Sequence, residues 1–245
     1  MRRSRSKWKK YKLMRKEKNL SAHLPETHLL NEESFNTMID KYGTVMIKPS
    51  RGYQGKGVIQ VSCIEWEVYE FHSLYKKYLV EGKDHAFEHI RDQYCSNKPY
   101  IVQQRIPLAQ INGCPYDIRV MTQRLKNSDT WVVTGTLAKV AAENFVITNY
   151  PQKIIPLEEA LERSMDSRET EITRSEIERI CIAIAEQIGP YYENSRTFGF
   201  DIGLDQEGKV WIIEANLKPG ISMFKNLKDL SMYEKIKKYK RRRLH

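Results

Sequence analysis

Apolar positions in this chain follow two rhythms, short alternating runs and longer stretches spaced three and four apart, which together predict strands mixed with helices. After an opening Leu24-Pro-Glu-Thr27, Asn31 can cap a helix over Glu32 to Tyr42. Phe35, Met38, Ile39 and Tyr42 would share one face of it, and Gly43 would stop it. Thr44 to Lys48 reads as a strand, followed by a glycine-rich loop from Ser50 to Gly57 and a returning strand from Val58 to Val61. Glu67 to His72 reads as another strand, Asp84 to Tyr94 as a helix, and Tyr100 to Gln104 as a strand bounded by Pro99 and Pro107. A strand beginning at Tyr116 pairs across an Asn127-Ser-Asp turn with Trp131 to Val140. Pro156 opens a helix running to Ser164. Ser175 to Ile188 carries Ile177, Ile180, Cys181, Ile184 and Ile188 at helical spacing and ends at Gly189-Pro190. From Ser222 onward the chain is predicted helical and grows more basic. Hairpins and helices without regular βαβ alternation predict an α+β architecture.

The last two apolar runs carry the most informative chemistry. Phe198 to Leu204 and Lys209 to Ala215 flank Asp205-Gln-Glu-Gly208 and read as a hairpin. With a four-residue loop, Leu204 faces Lys209 and Asp201 faces Ile212. Ile212, Glu214 and Asn216 then point the same way as Asp201, because side chains two apart share a strand face. Two carboxylates and an amide suit a hard divalent cation such as Mg2+, which is commonly shared with substrate phosphates. A one-residue change in the loop would reverse this parity. The trio also fits a solvent-exposed hairpin face, although Glu and Asn directly after Trp211-Ile-Ile and before Pro219-Gly220 are unusual there.

Charge changes the picture at the ends. Of the net +10 over 245 residues, residues 1–18 hold ten Lys/Arg against one Glu, and residues 235–245 hold seven against no acid. The ends thus carry +9 and +7, and the body between them −6. Such ends read as solvated extensions, with an acidic partner or an anionic surface as the functional reading. Trp8 and Tyr11 leave room for packing on the body. No nucleic-acid-binding signature accompanies them. No apolar run approaches the roughly 18 residues of a membrane span. Cys63, Cys95, Cys114 and Cys181 are scattered without a C-x-x-C pair, which suits a reduced cytoplasmic setting.

Upstream candidates are individually weak. Lys48 ends an apolar strand just before a loop with Gly52, Gly55, Lys56 and Gly57; glycines let main-chain N–H groups approach a phosphate, and the lysine adds fixed charge. The loop is neither a Walker A nor a Rossmann fingerprint, and a glycine-rich turn without a ligand fits equally. Asp117 and Arg119 share a strand face, either as a bidentate anion reader or as a surface ion pair. Lys139 lies on the face opposite Ala138 and Val140. Asn149 follows Phe145-Val-Ile-Thr148 and alone reads as a loop cap.

In this order the elements resemble the ATP-grasp enzymes over about residues 24–225, most closely the YheC/YheD group of endospore-coat-associated proteins. The resemblance implies two α+β subdomains clamping ATP, here 24–106 and 107–225, between a basic extension over 1–23 and a basic helix or tail over 226–245. Lys48 would contact the α/β-phosphates, with the loop from Ser50 to Gly57, including Lys56, closing over them. Gln103, Gln104 and Ile106 would form the adenine hinge, and Asp201, Glu214 and Asn216 would hold Mg2+. Arg119, Lys139 and Asn149 would serve the transferring phosphoryl group. Two departures stand out. Many relatives have Arg where Lys139 stands, and the substrate-binding domain that usually precedes this fold does not fit into the residues before Lys48. The implied activity is ATP-dependent ligation of a small-molecule or peptide carboxylate to an amine or thiol. A nucleotide-binding spore-coat component without ligase activity and an ATP-grasp kinase are the other readings.

Overall fold

Two antiparallel sheets frame the protein in the computed structural model, which describes residues 6–52, 55–74, 76–95, 98–143 and 151–241. In chain order the elements are α1 (Lys7–Met14), the single turn α2 (Lys18–Ser21), β1 (Thr27–Leu29), α3 (Glu32–Tyr42), β2 (Thr44–Pro49), β3 (Ile59–Glu65), β4 (Val68–Ser73) and β5 (Lys76–Glu81). They continue with α4 (Lys83–Tyr94), β6 (Tyr100–Gln104), β7 (Gln110–Ile111), β8 (Cys114–Gln123), β9 (Val132–Ala141), β10 (Pro151–Ile155), α5 (Leu157–Glu162) and α6 (Ser167–Ile188). The last three are β11 (Thr197–Leu204), β12 (Val210–Asn216) and α7 (Ser231–Arg241). The architecture is α+β, as the pattern predicts.

The first sheet runs β1-β6-β2-β3-β4-β5. Its core face packs Val45, Ile47, Ile59, Val61, Phe71 and Val102 against Phe35, Met38 and Ile39 of α3 and Ala86 and Ile90 of α4. Helix α3 starts and stops where its sequence dictates. Asn31 accepts from Ser34 N–H, Ser34 returns a bond to Asn31, and Gly43 takes φ 65° at the exit. The second sheet runs β10-β9-β8-β11-β12, with β7 paired on β8. One face packs on α6 through Ile177, Ile180, Cys181, Ile184 and Ile188. On the other, α7 sets Ile236 against Met121, Leu137 and Phe224. That helix crosses above Gly135, where a Cβ would lie 2.9 Å from both Ile236 and Phe224. No helix among the described residues is long and apolar enough to cross a membrane.

The basic N-terminal segment corrects the expectation of a solvated extension. Ser6 caps α1, and Tyr11 and Met14, three apart on one face, enter the same core as α6, followed by Leu20 and Leu24. Gln187 of α6 donates to the Leu13 carbonyl at 3.1 Å. Two well-spaced apolar side chains thus anchor a helix rich in lysines, of which Lys9 is exposed while Lys7 and Lys10 turn toward β12. The basic C-terminal segment is likewise anchored, by Ile236. Met14 is 4% exposed, so Met14→Ala is expected to lower unfolding free energy by about 2–5 kcal/mol in urea denaturation. An unpacked tail would give no change.

Candidate functional site

The hairpin β11–β12 is built differently from the four-residue loop expected of it. Leu204 pairs with Val210, not Lys209, so the loop spans five residues from Asp205 to Lys209. Asp205 organises it: Oδ1 accepts from the N–H of Glu207 and Lys209, and Oδ2 from the Trp211 indole at 2.7 Å. A β-bulge follows. Ile202 pairs with Ile212, yet Asp201 pairs with Glu214, leaving Ile213 as the extra residue. Ile212 therefore does not share the face of Asp201; it is buried with Ile202 in the core. Glu214 and Asn216 do share that face, opposite Asp201 and Gly199.

A buried charge cluster surrounds Asp201. Arg119 donates Nε to its Oδ1 at 2.9 Å and Nη2 to its Oδ2 at 3.1 Å. Lys139 Nζ lies 3.2 Å from Oδ1, and Asn216 Nδ2 2.9 Å from Oδ2. Lys139 also pairs with Asp117 at 2.9 Å. Burial would raise the Asp201 pKa, but Arg119 and Lys139 more than offset it and hold it at about 2. Burial opposes the charge on Lys139 too, and Asp117 and Asp201 overcome it, so its pKa is raised. Arg119 thus pairs across the sheet with Asp201, and Pro219 covers it: a Cβ on Gly199 would come within 2.5 Å of Pro219 and 3.3 Å of Arg119.

The opposite wall comes from the first sheet. Lys48 on β2 donates to Gln103 Oε1 at 2.6 Å, Gln103 Nε2 donates to Thr27 Oγ1 at 2.9 Å, and Thr27 donates to the Pro25 carbonyl at 2.8 Å. Gln103 thereby holds Lys48, while Gln104 accepts from the Glu26 N–H; neither amide projects freely at the hinge. Burial lowers the Lys48 pKa to about 8. In the loop, Gly55 and Gly57 take φ 68° and 75°, and a Cβ on Gly57 would meet the Tyr100 hydroxyl at 2.8 Å. Gly52, Gly55, Lys56 and Ile106 line the same cleft as Asp201, Glu214 and Asn216, a space of about 570 Å3 between the two sheets. Ser50 sits buried at its root. Asn149 lies outside the described residues.

Three further charged residues stand at the site: Lys7 and Lys10, which sequence reasoning did not reach, and Asp117, which it weighed only beside Arg119. Lys7 Nζ pairs with Glu214 Oε1 at 2.8 Å, and Lys10 Nζ donates to the Ala215 carbonyl. Asp117 is the third, 3% exposed against Lys139. The signal for the lysines was their three-residue spacing behind the Ser6 cap. The donor set Asp201, Glu214 and Asn216 is all oxygen and fits a hard cation such as Mg2+. Among the described residues no group of three or more His, Cys, Asp or Glu stands together as metal ligands.

The fold has known counterparts. Residues 2–241 match the family model described as YheC/D like ATP-grasp. The chain belongs to this ATP-grasp family. A similar curated protein is the endospore coat-associated protein YheD of Bacillus subtilis (strain 168), 26% identical over 229 residues, which cover 89% of this chain and 49% of that protein. The chain thus spans about half the length of that relative. The ATP-grasp fold also appears in the C-terminal domain of K. lactis Pby1, an ATP-grasp enzyme interacting with the mRNA decapping enzyme Dcp2. It matches with a TM-score of 0.54 and 19% identity over 94% of this chain and 67% of that one. N5-carboxyaminoimidazole synthase from Aspergillus clavatus, solved with ADP and a ribonucleotide, matches with a TM-score of 0.54 and 9% identity over 88% and 44%.

The lowered Lys48 pKa makes a stability prediction. The folded protein releases this proton near pH 8 and the unfolded chain near 10.5, so between those values the unfolded state holds more protons and stability rises with pH. Lys48→Met removes that contribution. Its stability relative to the parent is expected to be higher at about pH 7 than at about pH 10 in urea denaturation; a difference independent of pH would contradict the burial of the ammonium.

Proposed function

We propose that this chain is an ATP- and Mg2+-dependent carboxylate–amine or carboxylate–thiol ligase working through an acyl phosphate. The observation that carries this reading is the convergence of Lys48 and the glycine loop with Asp201, Glu214 and Asn216 on one cleft. Family membership and the ADP-bound synthase of the same fold support the nucleotide.

The residues divide the work by position. Lys48, held by Gln103, supplies charge to the phosphates, and the N–H groups of the loop from Ser50 to Gly57 can donate to them. Ile106 and the chain at Gln104 border the adenine end. Mg2+ bound by Asp201, Glu214 and Asn216 would neutralise charge on the phosphate oxygens. Arg119, Lys139 and Lys7 now satisfy Asp201 and Glu214. The same three side chains would be within the cleft to donate to phosphoryl oxygens. A substrate carboxylate oxygen then attacks the γ-phosphorus as the bond to ADP breaks. An amine or thiol next attacks the acyl carbon, the bond to phosphate breaks, and phosphate and a proton leave. Alignment and electrostatic stabilisation perform the catalysis, without a protein nucleophile.

The exposed lysines of α7 and those of its approach suit an acidic partner, and the relationship to YheD suits a spore-associated setting. A nucleotide-binding coat component without ligase activity is favoured by one fact, that the relative's name records a location and no reaction. ADP release measured against a panel of carboxylates and amines separates these readings; a phosphorylated product without an amide or thioester would indicate a kinase. Lys48→Ala and Asp201→Asn are each expected to lower substrate-dependent ADP release by about 100- to 1,000-fold. Full ATP turnover by Lys48→Ala would remove Lys48 from the site.

A further inference from the structure

Helix α1 joins the two walls of the cleft. At its start, Ser6 shares a 2.8 Å hydrogen bond with Ser50, and the Lys7 N–H donates to the Ser50 carbonyl at 2.7 Å, at the root of the glycine loop. One turn later, Lys10 reaches the Ala215 carbonyl on β12. Strand β12 is the edge of its sheet, and the N-terminal segment completes the hydrogen bonds of that edge. The Ile212 N–H donates to the His23 carbonyl at 2.8 Å, His23 Nδ1 lies 2.8 Å from the Val210 carbonyl, and Lys10 satisfies Ala215 beyond the bulge.

Lys10 is unusual among these contacts. It is 4% exposed, yet its hydrogen bond goes to a neutral carbonyl and not to a carboxylate. Burying an ammonium on such a partner opposes stability, and the same burial lowers its pKa to about 8. An apolar side chain of similar length would fill the same space at less cost to the fold. What the lysine adds is a fixed direction for the peptide between Glu214 and Asn216. Neighbouring side chains on a strand point oppositely, so anchoring the Ala215 carbonyl aims both flanking side chains at the cleft.

We propose that Lys10 is a positioning residue: anchored on the Ala215 carbonyl, its ammonium holds the bulged end of β12 so that Glu214 and Asn216 present oxygen together to a divalent cation. This rests on the nucleotide–metal reading above. The test uses full-length protein and Lys10→Met, with Mn2+ binding followed by electron paramagnetic resonance in saturating ADP, ADP binding without metal by calorimetry, and thermal melting without ligand. Lys10→Met is expected to bind Mn2+ about 10- to 100-fold more weakly, as when a residue supporting metal ligands is lost. Metal-free ADP binding should be little changed, and the melting temperature unchanged or higher. Unchanged Mn2+ affinity would overturn the proposal. So would an equal loss of metal-free ADP binding, which would make Lys10 a phosphate ligand, or a lowered melting temperature, which would make it structural. Wild-type protein that binds no Mn2+ with ADP would instead overturn the nucleotide–metal reading itself, and this proposal with it.

Discussion

One extra residue, Ile213, decides whether Glu214 and Asn216 stand on the same side of their sheet as Asp201. Asp205 closes a five-residue loop, and with an unbroken ladder beyond it Asp201 would stand opposite Ile213, turning Glu214 and Asn216 toward the core. The bulge shifts the ladder by one more residue and returns both to the side of Asp201. Asp201 itself stands on β11, whose register with β8 is unbroken, and there it accepts from the buried Arg119 and Lys139 of β8 and β9. The bulge thus adds the polar side chains of β12 to charged groups already held together by three other strands.

Around that hairpin, cations outnumber carboxylates. Lys7, Lys10, Lys48, Arg119 and Lys139 face Asp117, Asp201 and Glu214. Where partners exist the charges are strongly held, as the raised pKa of Lys139 and the lowered one of Asp201 reflect. Where they do not, burial works against the charge, as at Lys48 and Lys10. The surplus is positive and lies in low dielectric between two sheets. Such an arrangement favours a multiply charged anion with its own counter-ion, since each brings what the other's ligands lack.

Much of this was legible from residue pattern. The capping residues of α3 and the alternation in β2, β6, β8 and β9 appear where the sequence puts them, because each rests on local chemistry. Asp201, Glu214 and Asn216 share a face as the alternation predicts, though by way of two one-residue differences that compensate: a longer loop and a bulge. Neither could be read from hydrophobicity. The loop length is set by Asp205 hydrogen bonds, and the bulge by pairing on both sides of β11. Ile212 was misassigned for the same reason. Strand β5 begins Lys76-Lys77 and helix α6 begins in the polar run from Ser167, so neither start carries an apolar signal. Helix α1 was hidden by composition, since Tyr11 and Met14 are few among many lysines although they decide where it packs.

The position of Ser6 has a practical consequence. Because that residue shares a hydrogen bond with Ser50, a disturbance at the start of α1 passes directly to the root of the glycine loop. A reporter is therefore better placed away from that junction, and the exposed thiol of Cys63 on β3 offers such a labelling handle.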